Sequence, residues 1–228
     1  MSFEGASPVE SLLAERYSCR AFLPDPVPDE IIDRLFAAAQ RTASWCNTQP
    51  WQVHLLGGEA ISRFSEELTE HVLTHDQSAD HGLPEYEDTY LERRRESGFG
   101  LYSALGIERS DREARGLQML KNFSFFGAPH SAIITTDRSL GTYGAVDCGG
   151  YVSTLLLTAQ SLGLGSIAQA AIAMYSDFVR DWLELTDDRL VVCAVSFGYA
   201  DPDHPANAFR TTRADIASVV HQVGRPSH

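Results

Sequence analysis

Three features of the sequence predict an α+β or α/β fold with one mixed sheet. Stretches of helical period take up most of the 228 residues, about four short runs read as strands, and long helical stretches separate those runs. A chain of this length buries roughly 70% of its unfolded surface, enough for one core without disulfide staples. With 43% hydrophobic and 21% charged residues, disordered and low-complexity classes are excluded. One domain spanning 1–228 is expected, with a helical insertion at about 59–120 and a C-terminal arm from about 199.

Ser7-Pro8-Val9-Glu10 sets a hydroxyl three residues before a carboxylate, with Pro at the first helical position, so a helix opens there and runs to about Arg16. Pro24, Pro26 and Pro28 keep the next stretch extended. A second helix from Asp29 to near Arg41 gathers Ile31, Ile32, Leu35, Phe36 and Ala39 on one face. Trp51 to Leu56 is a strand before Gly57-Gly58, and Ile61, Phe64, Leu68 and Val72 follow at helical spacing. Residues 59–120 hold 14 acidic and 7 basic side chains, which reads as a solvated segment. Ser131 to Thr136 and Leu190 to Ser196 are β-branched strands, Val146 to Leu162 is an apolar helix, and Ser176 to Leu185 is a further helix.

Charge narrows the function classes. With 31 acidic against 18 basic residues the net charge is −13, which repels nucleic-acid phosphates and anionic lipid. Neither nucleic acid nor membrane is expected as a partner, and no apolar run approaches the roughly 18 residues of a spanning helix. The only lysine is Lys121, so anion recognition falls to arginine, whose planar fork suits phosphate and carboxylate. Cys19, Cys46, Cys148 and Cys193 match no zinc or redox spacing and read as reduced thiols. Met1-Ser2-Phe3-Glu4-Gly5 lacks the basic and apolar regions of a signal peptide, so a cytoplasmic location is expected.

Several motifs carry possible chemistry beside a plainer use. Gly163-Leu164-Gly165-Ser166-Ile167-Ala168 has the letters of a dinucleotide fingerprint, but it follows a helix and leads into a strand, the reverse of what that fold needs. A helix C-cap is the better reading. His71 and His75 stand four apart as metal ligands do, yet Val72 takes the place of the Glu in H-E-x-x-H, so a solvated helix end is expected. Cys46 reads as a small buried thiol. Arg16, Ser18 and Arg20, together with Arg210 and Arg213, could form a phosphate cradle, since each guanidinium gives charge-assisted bonds. Either group alone is more often a solvated loop. The stretch from Ser44 to Trp51, with two indoles, Asn47, Gln49 and Pro50, suits a flat heteroaromatic ring with edge carbonyls and nitrogens; its plainer use is a capped core turn.

Arg16-Tyr17-Ser18-x-Arg20, then Asn47-Thr48-Gln49-Pro50-Trp51, and finally Asn207-x-x-Arg210-x-x-Arg213 before Val219-Val220 resemble, in this order and over nearly the whole chain, the flavin-dependent nitroreductase family. The resemblance implies an α+β fold, a mixed sheet flanked by helices, in an intertwined homodimer with FMN sites at the interface, and NADH or NADPH as co-substrate. It implies FMN contacts from Arg16, Tyr17, Ser18, Arg20 and Arg213, with Arg210 as a second choice. Ser44, Trp45 and Asn47 would come from the other subunit, and Gln49 would support the ring edge. Main-chain contacts to the ring would come from Ala170 and Ala171. Many relatives carry Pro and Glu where this chain has Ala168 and Ala170, a change that a main-chain contact tolerates. Asn122 falls near a position that bonds the pyrimidine edge. No catalytic side chain is implied, because the flavin carries the chemistry.

The segment with Tyr86, Tyr90 and Arg93-Arg94-Arg95 resembles nitrobenzoate reductases in particular. By that likeness Trp45, Tyr86, Tyr90, Arg93 and Arg94 would meet a small aromatic substrate, an Arg pairing an acidic one. The plainer use of the Arg run is i, i+4 ion pairing along a helix. Reduction of quinones, activated alkenes or free flavin, and FMN storage without turnover, are the alternatives.

Overall fold

A computed structural model of the chain describes residues 7–224. The N-terminal stretch from Met1 to Gly5 lies outside the described residues. Helix α1, Pro8–Glu15, opens on the expected reciprocal cap: Ser7 N–H donates to Glu10 Oε2 at 2.7 Å and Glu10 N–H to Ser7 Oγ at 3.4 Å. Then follow α2 (Asp29–Ala39), β1 (Gln52–Gly57), α3 (Gly58–Thr74), α4 (Asp88–Ala104), α5 (Arg112–Leu120), β2 (His130–Asp137), α6 (Gly141–Ser161), β3 (Gly165–Gln169), α7 (Ser176–Trp182) and β4 (Arg189–Gly198).

The strands order as β1-β2-β4-β3, and each neighbouring pair is antiparallel. The parallel component expected of a mixed sheet is confined to one bridge, Ser18 to Ser166. Successive residues of β2 face opposite ways, so Ala132 and Ile134 pack with Leu35, Tyr151 and Leu155 of α2 and α6 on one face. Ile133 packs with Phe64, Leu68 and Val179 of α3 and α7 on the other. A strand covered on both faces reads as a continuous apolar run, and for that reason residues 131–136 show no alternation.

The acidic stretch 59–120 is not one solvated unit. Its first helix, α3, buries Ile61, Phe64 and Leu68 in the core, whereas α4 buries no residue. The apolar helix α6 starts at Gly141, earlier than the expected Val146, and its first turn sits tightly on the sheet at Gly144, where a Cβ would lie 2.6 Å from Thr136 Oγ1. Gly163, at φ +75°, ends that helix in the left-handed region before β3, the C-cap arrangement expected of the fingerprint-like letters.

His130 ties the proline-rich stretch to the sheet: Val27 N–H donates to its Nε2 at 3.0 Å, which requires an unprotonated nitrogen. Burial lowers its pKa from 6.5, with Asp29 opposing, and burial and then Arg189 lower that of His54. Both folded pKa values lie below the unfolded value, so their contribution is complete above about pH 6.5 and is lost as the pH falls through the folded pKa. The melting temperature is therefore expected to drop between about pH 6.5 and pH 5, less steeply in His130→Gln, whose amide oxygen still accepts from Val27. Identical pH profiles in the two proteins would rule out His130 as a source.

Candidate functional site

The chain leaves α1 at Arg16, whose backbone turns extended and whose N–H still donates to Leu12 O at 3.0 Å. Ser18 then bridges β3, and Cys19 N–H donates to Ser166 O at 3.0 Å, so residues 16–20 run along the sheet edge. The C-terminal arm returns to this place. Asn207, 5% exposed, accepts from Arg20 N–H through Oδ1 at 2.8 Å and donates through Nδ2 to the carbonyls of Ala21 and Asp201, each at 2.8 Å. Sequence reasoning placed Asn207 in a motif but gave it no task; it is the staple that closes the two ends of the chain.

Around the staple, Arg16, Tyr17, Ser18, Arg20, Arg210 and Arg213 line one cavity of about 320 Å³. Arg210 lies 3.7 Å over the Tyr17 ring and donates to Asn207 O at 2.6 Å. Arg20 donates to Ser18 O at 3.2 Å, and Arg213 to Thr211 Oγ1 at 2.6 Å. Burial, then the Arg213 charge, lowers the pKa of Arg16, and burial lowers that of Arg20. Guanidinium groups gathered this closely, with partial desolvation and no carboxylate within ion-pair distance among the described residues, make an anion cradle.

Beyond the cradle, β3 ends at Gln169, a 2%-exposed side chain that accepts from Ser196 Oγ and donates to Asn122 O at 2.7 Å. That bond sets the end of α5 beside the turn at Ala170 and Ala171. Asn122 spends its own Nδ2 on Met119 O at 2.9 Å, closing α5. Ala168 sits in regular register with Val195, so the strand keeps its shape despite the Ala at this position. The N–H groups of Ala170 and Ala171 donate to no other group among the described residues, leaving two adjacent donors available.

The Ser44 to Trp51 loop stands elsewhere, on α2 and α6. Cys46, Asn47 and Gln49 all have positive φ, at 50°, 55° and 47°, a costly run for residues other than glycine. It is held by Gln49 N–H to Ser44 Oγ at 2.9 Å, Trp45 N–H to the Asp147 carboxylate at 3.1 Å, and a chain from Trp51 Nε1 to Gln40 to Gln49. The expectation of a buried Cys46 is corrected: the thiol is exposed, because the left-handed turn carries it outward. Trp45 is 57% exposed and packs edge-on against Tyr143. No hydrogen bond joins this loop to the cradle among the described residues.

On α4, Arg94 lies 5.3 Å over Tyr86, and Tyr90 is 69% exposed. The expected ion pairs of Arg93, Arg94 and Arg95 along their helix do not form among the described residues. His71 and His75 stack at 4.0 Å, and no cluster of three metal-ligating side chains occurs among the described residues. Nor is any described helix long and apolar enough to cross a membrane.

Comparison with known proteins gives a consistent set. The model of the nitroreductase family matches residues 13–199. A 4-nitrobenzoate reductase of Pseudomonas putida is 34% identical over 218 residues, covering 94% of this chain and 95% of the relative. The nitroreductase NfnB of Mycolicibacterium smegmatis is 35% identical over 216 residues, covering 93% and 91%. Among solved structures, the FMN-dependent NfnB of Mycobacterium smegmatis in complex with NADPH superposes with a TM-score of 0.89 at 33% identity, covering 95% of this chain and 97% of that one. An FMN- and NADPH-dependent NfnB from a Sphingopyxis strain reaches 0.92 at 30% identity, covering 96% and 100%.

Proposed function

The chain belongs to the nitroreductase family, and from that premise we propose that it is an FMN-dependent oxidoreductase that uses NADPH or NADH to reduce a nitroaromatic. One observation carries the reading: in a chain of net charge −13, Arg16, Ser18 and Arg20 meet Arg210 and Arg213 in a single cavity, although the Arg20–Asn207 bond spans 187 positions. The donor set fits a phosphate monoester. FMN, when bound, supplies the two-electron hydride chemistry. The chain's own residues bind and orient. Arg16, Arg20 and Arg213 neutralise the phosphate, the Ser18 hydroxyl donates to it, and Tyr17 holds Arg210 beside it. The free N–H groups of Ala170 and Ala171 are donors for the ring edge, with Asn122 nearby, and no side-chain acid or base is needed.

The cradle and the Ser44 to Trp51 loop are separate within one chain, which supports a homodimer whose second copy brings Ser44, Trp45, Asn47 and Gln49 to the site. Exposed apolar side chains on α6 and the arm, Tyr143, Val146, Ile216, Val219 and Val220, support that assembly. Trp45, Tyr86, Tyr90, Arg93 and Arg94 form the substrate side. A cytoplasmic setting suits a nicotinamide-dependent reaction, and it suits three buried thiols whose pKa values burial pushes up to about 11 at Cys19, about 11 at Cys148 and about 12 at Cys193.

The purified protein is expected to be yellow, to bleach anaerobically with NADPH or NADH, and to recolour on addition of 4-nitrobenzoate. A colourless protein unaffected by added FMN would remove the flavin from this reading. A yellow protein that neither reductant bleaches would be an FMN store instead.

A further inference from the structure

A second cavity, about 830 Å³, adjoins the cradle and shares Phe209, Arg210, Thr211 and Arg213 with it. Its other wall is α4, through Arg93, Glu96, Ser97 and Gly100, which recur on one helical face. That face is pinned to the arm. A Cβ on Gly100 would lie 2.6 Å from the Phe209 ring, and Thr212 Oγ1 donates to Glu96 Oε1 at 2.8 Å.

The charges on this cavity are unequal. Three arginines line it against one acidic residue, Glu96, in a chain that is strongly acidic as a whole. Arg210 is engaged with the Tyr17 ring and two backbone carbonyls, and Arg213 with Thr211 and Thr212. Arg94, its neighbour, is turned over Tyr86. Arg93 makes no hydrogen bond or ion pair among the described residues. Arg93 also lines a further cavity, with Glu85, Glu87 and Asp88, none within 4.0 Å of a guanidinium nitrogen, and their charge repels anions there. An oxyanion drawn to Arg93 is thereby directed to the side of Arg210 and Arg213.

We infer that Arg93 is a specificity-determining residue that binds an oxyanion carried by a visiting substrate. The inference rests on the flavin reading above for the reaction it serves. An exposed guanidinium with free donors pairs equally with a carboxylate or a phosphate, so the anion is either the ring carboxylate of an acceptor or the extra phosphate that separates NADPH from NADH.

The experiment compares Arg93→Ala and Arg93→Lys with the unmodified holoenzyme. FMN content is measured first and is expected to be equal in all three. kcat/KM is then determined for 4-nitrobenzoate against nitrobenzene with one reductant, and for NADPH against NADH with nitrobenzene. Loss of one charge-assisted bond predicts roughly a tenfold fall for the anionic member of one pair, with partial recovery in the Lys variant. Isothermal titration with benzoate and with adenosine 2′,5′-bisphosphate should show the same fold weakening for one of them. A fall confined to nitrobenzoate assigns the anion to the acceptor, and one confined to NADPH assigns it to the reductant. Equal falls for charged and neutral members, with unchanged binding of both anions, would overturn the inference. Absence of FMN from the unmodified protein would instead defeat the flavin reading, while the two titrations would still test Arg93.

Discussion

Arg16→Ala is expected to weaken FMN binding by roughly 10- to 100-fold, enough for the flavin to be lost on gel filtration. The size follows from about 1.5–3 kcal/mol for a hydrogen bond to a charged group, at 1.4 kcal/mol per factor of ten. Arg16 lines the cradle, and its nearness to the Arg213 charge costs stability until an anion arrives, so the side chain is placed for binding. The control is Arg63→Ala, which makes the same change in net charge at a 69%-exposed side chain on α3, paired with Glu67. That variant should keep its flavin. Equal weakening in both would mean that the overall field, and no local cradle, governs affinity. Fluorescence titration of the released FMN measures the difference.

The second large effect concerns Asp80. Its carboxylate receives two bonds from Arg180 Nη1, each at 2.5 Å, and one from Val191 N–H at 2.8 Å, with the Asp80 and Arg180 side chains only 6% and 12% exposed. Burial alone would lower the Arg180 pKa; its bonds to Asp80 and Asp177 outweigh that and raise it. Ser78 N–H donates to Met174 O at 2.9 Å and Asp177 N–H to Ser78 Oγ at 3.1 Å, so this one segment ties the run before α4 to α7 and β4. Asp80→Ala strands the Val191 amide and leaves the buried Arg180 guanidinium with only the exposed Asp177 carboxylate. The expected cost is about 3–5 kcal/mol, which lowers the melting temperature by roughly 10 °C in a chain of this size. Asp80→Asn keeps one acceptor and should fall less. Calorimetry that found both variants within about 1 kcal/mol of the parent would show the pair to be dispensable.

Much of the architecture was legible because its signals are local. The Ser7/Glu10 cap, the apolar face of α2 and the Gly163 stop each depend on residues within a turn or two of one another, and the structure has them where periodicity and capping chemistry put them. Misreadings arose where a neighbour outside that range decides. The charge of 59–120 suggested a solvated segment, yet α3 turns its apolar face to β2 and α7, and only its outer face is acidic. Cys46 was expected inside because thiols commonly are, but three left-handed residues in its loop turn it outward. Arg93 and Arg94 are adjacent and chemically identical, and nothing local distinguishes the one that faces the cavity from the one that covers Tyr86.

The sequence by itself determined which chemistry was available: a surplus of acid, arginine in place of lysine, and two arginine groups at opposite ends of the chain. Their meeting was decided only in three dimensions. Closing so long a loop is opposed by chain entropy that no short motif can offset. The bridge from Ser18 to β3 and the three hydrogen bonds of Asn207 hold it closed, on a sheet whose two faces are already buried.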